Sequence, residues 1–206
     1  MNTKSHIHAT RQTFSTNLEA ARVLYDQLGV LAEPLERATQ MVGDALLGGH
    51  KLLCCGNGGS AADSAHFSAE IAGRYVLERP GYPAIDLTAD HSIFTALTND
   101  YPAEQVFARL VQAQGAAGDV LAVISTSGDA ANIVAALEAA RQKRIKTIAF
   151  LGKGGGRCKG LADVELIVPS DVTARVQEAH ALLYHTICEV LDPILAADAQ
   201  SAAEPQ

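Results

Sequence analysis

The sequence predicts an α/β fold: a three-layer αβα sandwich built on one open, five-stranded parallel sheet and preceded by N-terminal helices. Three observations carry this expectation. Helical spacing of apolar residues comes first, short apolar runs then recur along the chain, and segments long enough for crossover helices separate those runs.

The elements follow in order. Residues 1–13 are polar and read as a flexible lead-in. Phe14, Leu18, Ala21 and Leu24 recur at helical spacing, and a second helix begins near Pro34, a residue that a first turn tolerates, so residues 14–48 read as helices. Then come LLCC (Leu52 to Cys55), AIDL (Ala84 to Leu87), VLAVI (Val120 to Ile124), TIAF (Thr147 to Phe150) and VELIV (Val164 to Val168). Each is short and mostly apolar on both faces, as expected of strands in a covered parallel sheet. Intervening segments such as IVAALEAARQK suit right-handed crossover helices. A long helix is expected from about Val172 to Leu195, and the small, polar tail 196–206 reads as frayed. No internal linker or repeat interrupts residues 1–206, which are expected to form a single domain.

Composition narrows the function. The 206 residues are 48% hydrophobic, enough for a sizeable core, and carry a net charge of −7 without a basic–aromatic patch, which argues against direct contact with nucleic acid. No stretch approaches the ~18–20 apolar residues of a membrane helix, and MNTKSHIHATRQ lacks the apolar core of a secretory signal. Cys54, Cys55, Cys158 and Cys188 form no C-x-x-C pair and no disulfide-like spacing, as suits a reducing compartment, and Cys54 and Cys55 sit in an apolar run as small buried hydrophobes would. A cytoplasmic protein is expected.

In open α/β sheets, ligands sit at the carboxyl ends of the strands. The first strand runs into Gly56-Asn57-Gly58-Gly59-Ser60-Ala61, where glycines let the backbone turn sharply and aim N–H groups at an anion. The string also satisfies the dinucleotide fingerprint, but the acid at the matching distance, Glu78, precedes Arg79-Pro80-Gly81 and reads as loop. A tight strand–helix turn without a ligand is the plainer alternative. His66 and Glu70 follow four residues apart, on one helix face, where they can share a metal or act as a base and its orienting partner.

The third run ends in Ser125-Thr126-Ser127-Gly128-Asp129 before a helix, a hydroxyl-rich turn at a positive helix end. It suits a phosphate monoester, and no P-loop lysine is present. A capped turn with Asp129 as N-cap is the structural alternative. In TARVQEAHALLYHTICEVL, Val176, Leu183, Ile187 and Leu191 mark a core face, and Gln177, Glu178, His180 and His185 are the polar candidates. Gln177 and His185 stand ~12 Å apart along the helix axis and about 80° apart in direction, so one helix does not naturally bring both to one point.

The segments GNGGSAADSAHFSAEIAGRY, ERPGYPAI, TALTNDY, GDVLAVISTSG, GLADVELIVPS and TARVQEAHALLYHTICEVLD occur in this order in the phosphoheptose isomerases, and the chain resembles that family over nearly its whole length. The resemblance implies a flavodoxin-like SIS (sugar isomerase) domain, a homotetramer with active sites at subunit interfaces, and conversion of D-sedoheptulose 7-phosphate to D-glycero-D-manno-heptose 7-phosphate, the first step toward the heptose of bacterial lipopolysaccharide. Carried over by position, Asn57, Gly58, Gly59, Ser60, Asn99, Asp100, Ser125, Thr126 and Ser127 resemble substrate contacts. His66, Glu70, Gln177 and His185 resemble ligands of one zinc ion per subunit, with Glu70 and Gln177 also facing substrate. Glu70 and His185 resemble the catalytic pair. The family's usual STSGNS stands here as Ser125-Thr126-Ser127-Gly128-Asp129-Ala130, which places an anion beside the expected phosphate and removes a hydroxyl.

Two other classes share parts of the pattern: a non-catalytic SIS protein that associates with the bacterial replication initiator, and a module that senses a sugar phosphate without turning it over. The presence of both Glu70 and His185 favours the enzyme, since the initiator-associated proteins replace the matching residues with groups unable to do acid–base work.

Overall fold

The computed structural model describes residues 3–203. Helix α1 (Thr3–Tyr25) is followed by a short 3-10 turn and α2 (Ala32–Leu47). Strand β1 (Leu52–Gly56) leads into α3 (Gly59–Ala72), β2 (Ala84–Asp86), α4 (His91–Asp100) and α5 (Val106–Gln114). Then come β3 (Val120–Ser125), α6 (Ala131–Gln142), β4 (Lys146–Leu151), β5 (Val164–Ile167) and α7 (Thr173–Ala203). All five strands pair parallel in the order β2-β1-β3-β4-β5. Each expected run is a strand, with bounds that differ by a residue or so from the sequence reading.

Alternation along the strands divides the core. Leu52, Cys54, Ala122, Ile124, Ile148 and Phe150 face a layer made by α2, α3 and α7, whereas Leu53, Cys55, Leu121, Val123, Ala149 and Leu151 face α5 and α6. Both layers are apolar because the central strands β1, β3 and β4 are covered on both sides, while β2 and β5 at the edges are only partly buried. On α7, Val176, Leu183, Ile187 and Leu191 are all buried, as their spacing requires, and the four cysteines are buried free thiols. No described helix is long and apolar enough to cross a membrane.

Both ends are more regular than the sequence suggested. Residues 3–13, read as a flexible lead-in, are helical and exposed from His6 onward, and α7 continues through the tail to Ala203. These segments lack an apolar stripe facing the core, but helix propensity needs none. Residues 1–2 of the expected lead-in and 204–206 of the expected frayed tail lie outside the described residues.

Candidate active site

β1 and β3 are neighbours and the helices after them pack on opposite faces, so their carboxyl ends form the switch point at which open α/β sheets take ligands. Register sets Gly56 beside Ile124, so the two loops leave the sheet side by side.

The first loop is tight. A side chain at Gly56 would stand 2.4 Å from the Ser60 carbonyl oxygen, which only glycine avoids. Asn57 is exposed and exchanges two hydrogen bonds of 2.9 Å with Asn132 near the start of α6. This amide pair joins the two loops. Asn132 was not singled out from sequence, and only the adjacency of β1 and β3 could have pointed to it. Gly58 sits at φ 58, Ser60 is buried, and the Gln177 side chain of α7 lies so close to Gly59 that a methyl group there would meet it at 2.0 Å.

In the second loop the Ser125 hydroxyl accepts from Gly128 N–H at 3.1 Å and the Ser127 hydroxyl accepts from Asp129 N–H at 3.2 Å. Each hydroxyl hydrogen therefore stays free to donate, beside the half-buried Thr126. Asp129 does not cap α6. The N-cap is Ala130, without a side-chain bond, which leaves N–H groups of the first turn unmet by a side chain. The Asp129 carboxylate instead accepts from Arg157 N–H at 3.0 Å, in a turn where Gly154, Gly155 and Gly156 all take positive φ. That turn packs directly on Gly128, where an added side chain would meet the Gly155 carbonyl at 2.0 Å.

The ionisable cluster lies between α3 and α7. His66 Nε2 is 3.0 Å from Glu70 Oε1 and 3.4 Å from His185 Nε2, and Tyr184 Oη is 3.0 Å from His66 Nδ1. Two imidazole nitrogens at such a distance cannot both carry hydrogens aimed at each other. Burial, then the neighbouring His66, hold the His185 pKa below its usual value, against the pull of Glu70, which favours a neutral ring able to accept a proton or bind a metal. Burial and the nearby Asp63, Cys188 and Glu70 push the Tyr184 phenol up to about 12, so it stays protonated and can donate to His66. One ligand atom from each of His66, Glu70 and His185 lies within 4.8 Å of the other two. Two imidazoles and a carboxylate are a donor set suited to zinc with positions left for other ligands.

The remaining candidates fall elsewhere. Gln177 is directed at Gly59 rather than at this cluster. Asn99 and Asp100 close α4, exposed, with Asn99 Nδ2 donating to Asp100 at 2.9 Å. Glu178 pairs with Arg175, and His180 is a core residue whose ring meets the Leu151 carbonyl at 3.1 Å. Glu78 is in a loop, paired with Arg74 at 3.6 Å, while the acid that does end β2, Asp86, accepts from Thr88. A cavity of about 430 Å³ lined by Arg37, Asp44, His50 and Lys146 opens at the opposite, amino ends of the strands. The cluster itself is an open surface, with the His66 side chain 48% exposed and Glu70 22%.

Residues 18–152 match the family model of the SIS domain. The chain is 47% identical over 180 residues to the phosphoheptose isomerase of Shewanella frigidimarina, covering 86% of this chain and 91% of the relative. A phosphoheptose isomerase structure from Francisella tularensis superposes with a TM-score of 0.86 at 36% identity, covering 89% of this chain and 98% of that one. The phosphoheptose isomerase structure from Neisseria gonorrhoeae gives 0.83 at 38% identity, over 89% and 99%.

Proposed function

From the premise that this chain belongs to the phosphoheptose isomerase family of SIS-domain proteins, we propose that it converts D-sedoheptulose 7-phosphate to D-glycero-D-manno-heptose 7-phosphate at the cluster between α3 and α7. The carrying observation is that Glu70 and His185, from helices far apart in sequence, come within metal-sharing distance of each other and of His66.

An aldose–ketose isomerase moves a proton between C1 and C2 while charge develops on the carbonyl oxygen. Glu70 abstracts the proton from one carbon and returns it to the next, through an enediol. His185, held neutral, shuttles the hydroxyl proton, and such positioned acid–base groups contribute ~10²–10⁴-fold each. Ser125, Thr126, Ser127 and the open first turn of α6 receive the phosphate. Asn57, Gly58, Gly59 and Ser60 line the sugar, whereas Asn99 and Asp100, exposed at the end of α4, are assigned to the substrate by the family resemblance alone. His66, Glu70 and His185 would hold a zinc ion, which polarises sugar oxygens when bound.

Gln177 is the fourth ligand of the proposed set. Within one chain it rests on Gly59, ~12 Å along the helix from His185, so a complete set draws Gln177 from a second copy. This supports active sites at subunit interfaces, and the family resemblance implies that the subunits number four. Large apolar side chains left bare on α1 (Ile7, Phe14 and Val23) and α7 (Leu182, Val190 and Ile194) point the same way. A cytoplasmic location accords with four free thiols.

Incubation with sedoheptulose 7-phosphate and detection of an aldoheptose 7-phosphate tests the proposal directly. Tight binding without turnover would return the sensing reading, and absence of turnover with capture of a replication initiator the non-catalytic one.

The departure at Asp129 and Ala130 yields a further expectation. Asn at 129 can keep accepting from Arg157 N–H while removing an anion, and Ser at 130 places a hydroxyl at the open start of α6. A hydrogen bond to a charged group contributes ~1.5–3 kcal/mol, equivalent to roughly tenfold or more in affinity. Asp129→Asn with Ala130→Ser should therefore lower KM several-fold with little change in kcat, because the phosphate is remote from the reacting carbons. Steady-state kinetics decides it: an unchanged or higher KM means that this turn binds the phosphate differently.

A further inference from the structure

A buried ion pair stands behind Glu70. Arg79 and Asp192 have side chains 1% and 3% exposed, and Arg79 Nε donates to Asp192 Oδ1 at 2.8 Å. The rest of the guanidinium closes the carboxyl end of α3. Its Nη2 donates to the Glu70 carbonyl at 3.0 Å, and its Nη1 reaches the carbonyls of Ile71 at 3.2 Å, Gly73 at 3.4 Å and Pro80 at 3.1 Å. A helix leaves its last four carbonyls unpaired and negative, and a planar cation with five donors answers both deficits. The other oxygen of Asp192 accepts from Val76 and Leu77 N–H at 3.0 and 2.7 Å, which ties the loop after α3 to α7.

Asp192 and His185 are seven residues apart on α7, about 20° short of two full turns, so they share the helix face that meets α3. The two helices are thus pinned along one line at two points. One is the His66–Glu70–Tyr184–His185 cluster, and the other is Arg79 on Asp192. A buried ion pair returns little net stability once desolvation is counted, and apolar residues of the same size often do as well. Its effect here is geometric.

We propose that Arg79, anchored by Asp192, is a positioning residue that sets the height of α3 against α7 and so brings the Glu70 carboxylate into reach of His185. The proposal rests on the reading that Glu70 and His185 carry the proton transfer. The phosphate turn after β3 lies outside the clamp, so the clamp governs turnover and leaves affinity for the phosphate alone. Asp192→Asn is the sharpest variant. Its amide oxygen can still accept from Val76 and Leu77, while its NH₂ faces Arg79 and breaks that link. Arg79→Lys keeps a cation at the helix end and loses the fork.

Steady-state kinetics with sedoheptulose 7-phosphate, alongside thermal melting and with Glu70→Gln as control, provides the test. Both variants should show kcat lower by ~10–100-fold, as misplacement on the scale of 1 Å produces, with KM within about twofold, and Arg79→Lys should be the milder. Either variant folding with an unchanged kcat overturns the proposal, as does a fall in melting temperature that alone accounts for the lost activity. Failure of both to fold assigns the pair to folding and overturns it too. If Glu70→Gln itself keeps wild-type turnover, the proton-transfer reading is what fails.

Discussion

Glu70→Gln is expected to abolish isomerisation, with kcat down by at least ~10³-fold, within the range that positioned acid–base groups supply. The substitution keeps the shape of the side chain and an oxygen that can accept from His66 Nε2–H, so α3 and its contact with α7 should stand. What it removes is a group able to take a proton from carbon. Because Ser125, Thr126 and Ser127 are untouched, phosphate affinity should change little. Turnover measured with substrate binding separates these effects, and a variant retaining half the wild-type rate would sink the assignment.

The second large effect concerns stability rather than turnover. His180 is fully buried, and burial outweighs its bond to the Leu151 carbonyl, bringing its pKa from 6.5 to about 4. The unfolded chain takes up a proton near pH 6.5 that the folded chain refuses until about pH 4. The contribution is therefore fully present above pH 6.5 and is lost as pH falls through the folded value. It amounts to about 3 kcal/mol in all, with about 2 kcal/mol already gone by pH 5. The carboxylates of Asp119 and Asp192, held below their usual range despite burial by hydrogen bonds and cationic partners, contribute with the same sign only at lower pH. Urea denaturation at pH 7 and pH 5 should show this slope in the wild type and a much flatter one in His180→Gln. Equal slopes would place the acid sensitivity elsewhere.

The strands were legible because each is mostly apolar on both faces, and the core face of α7 because Val176, Leu183, Ile187 and Leu191 repeat at helical spacing. His66 and Glu70 were legible because four residues on a helix already place them together. Their meeting with His185 depends on how α7 lies over α3, which spacing within one helix cannot express. The alternative of Asp129 as a cap fails for a similar reason: its partner is the backbone N–H of Arg157, 28 residues away, and a backbone group carries no signature in sequence. The same holds for Arg79, whose partners at the end of α3 are carbonyls and whose one acidic partner is 113 residues distant. The polar first residues gave no apolar stripe to follow, although α1 extends through them.

The order of the elements has a consequence for how the chain is made. The last strand ends at Ile167, yet the layer over Ala122, Ile124, Ile148 and Phe150 is closed in large part by α7, which begins at Thr173. A ribosome emitting this chain from its N-terminus thus releases a nearly complete sheet before the helix that covers one of its faces. Until then that face is bare, and surfaces of this kind promote association between nascent chains. A protein truncated before Thr173 should accordingly collect in the insoluble fraction, and synthesis halted there would yield neither His185 nor a closed core.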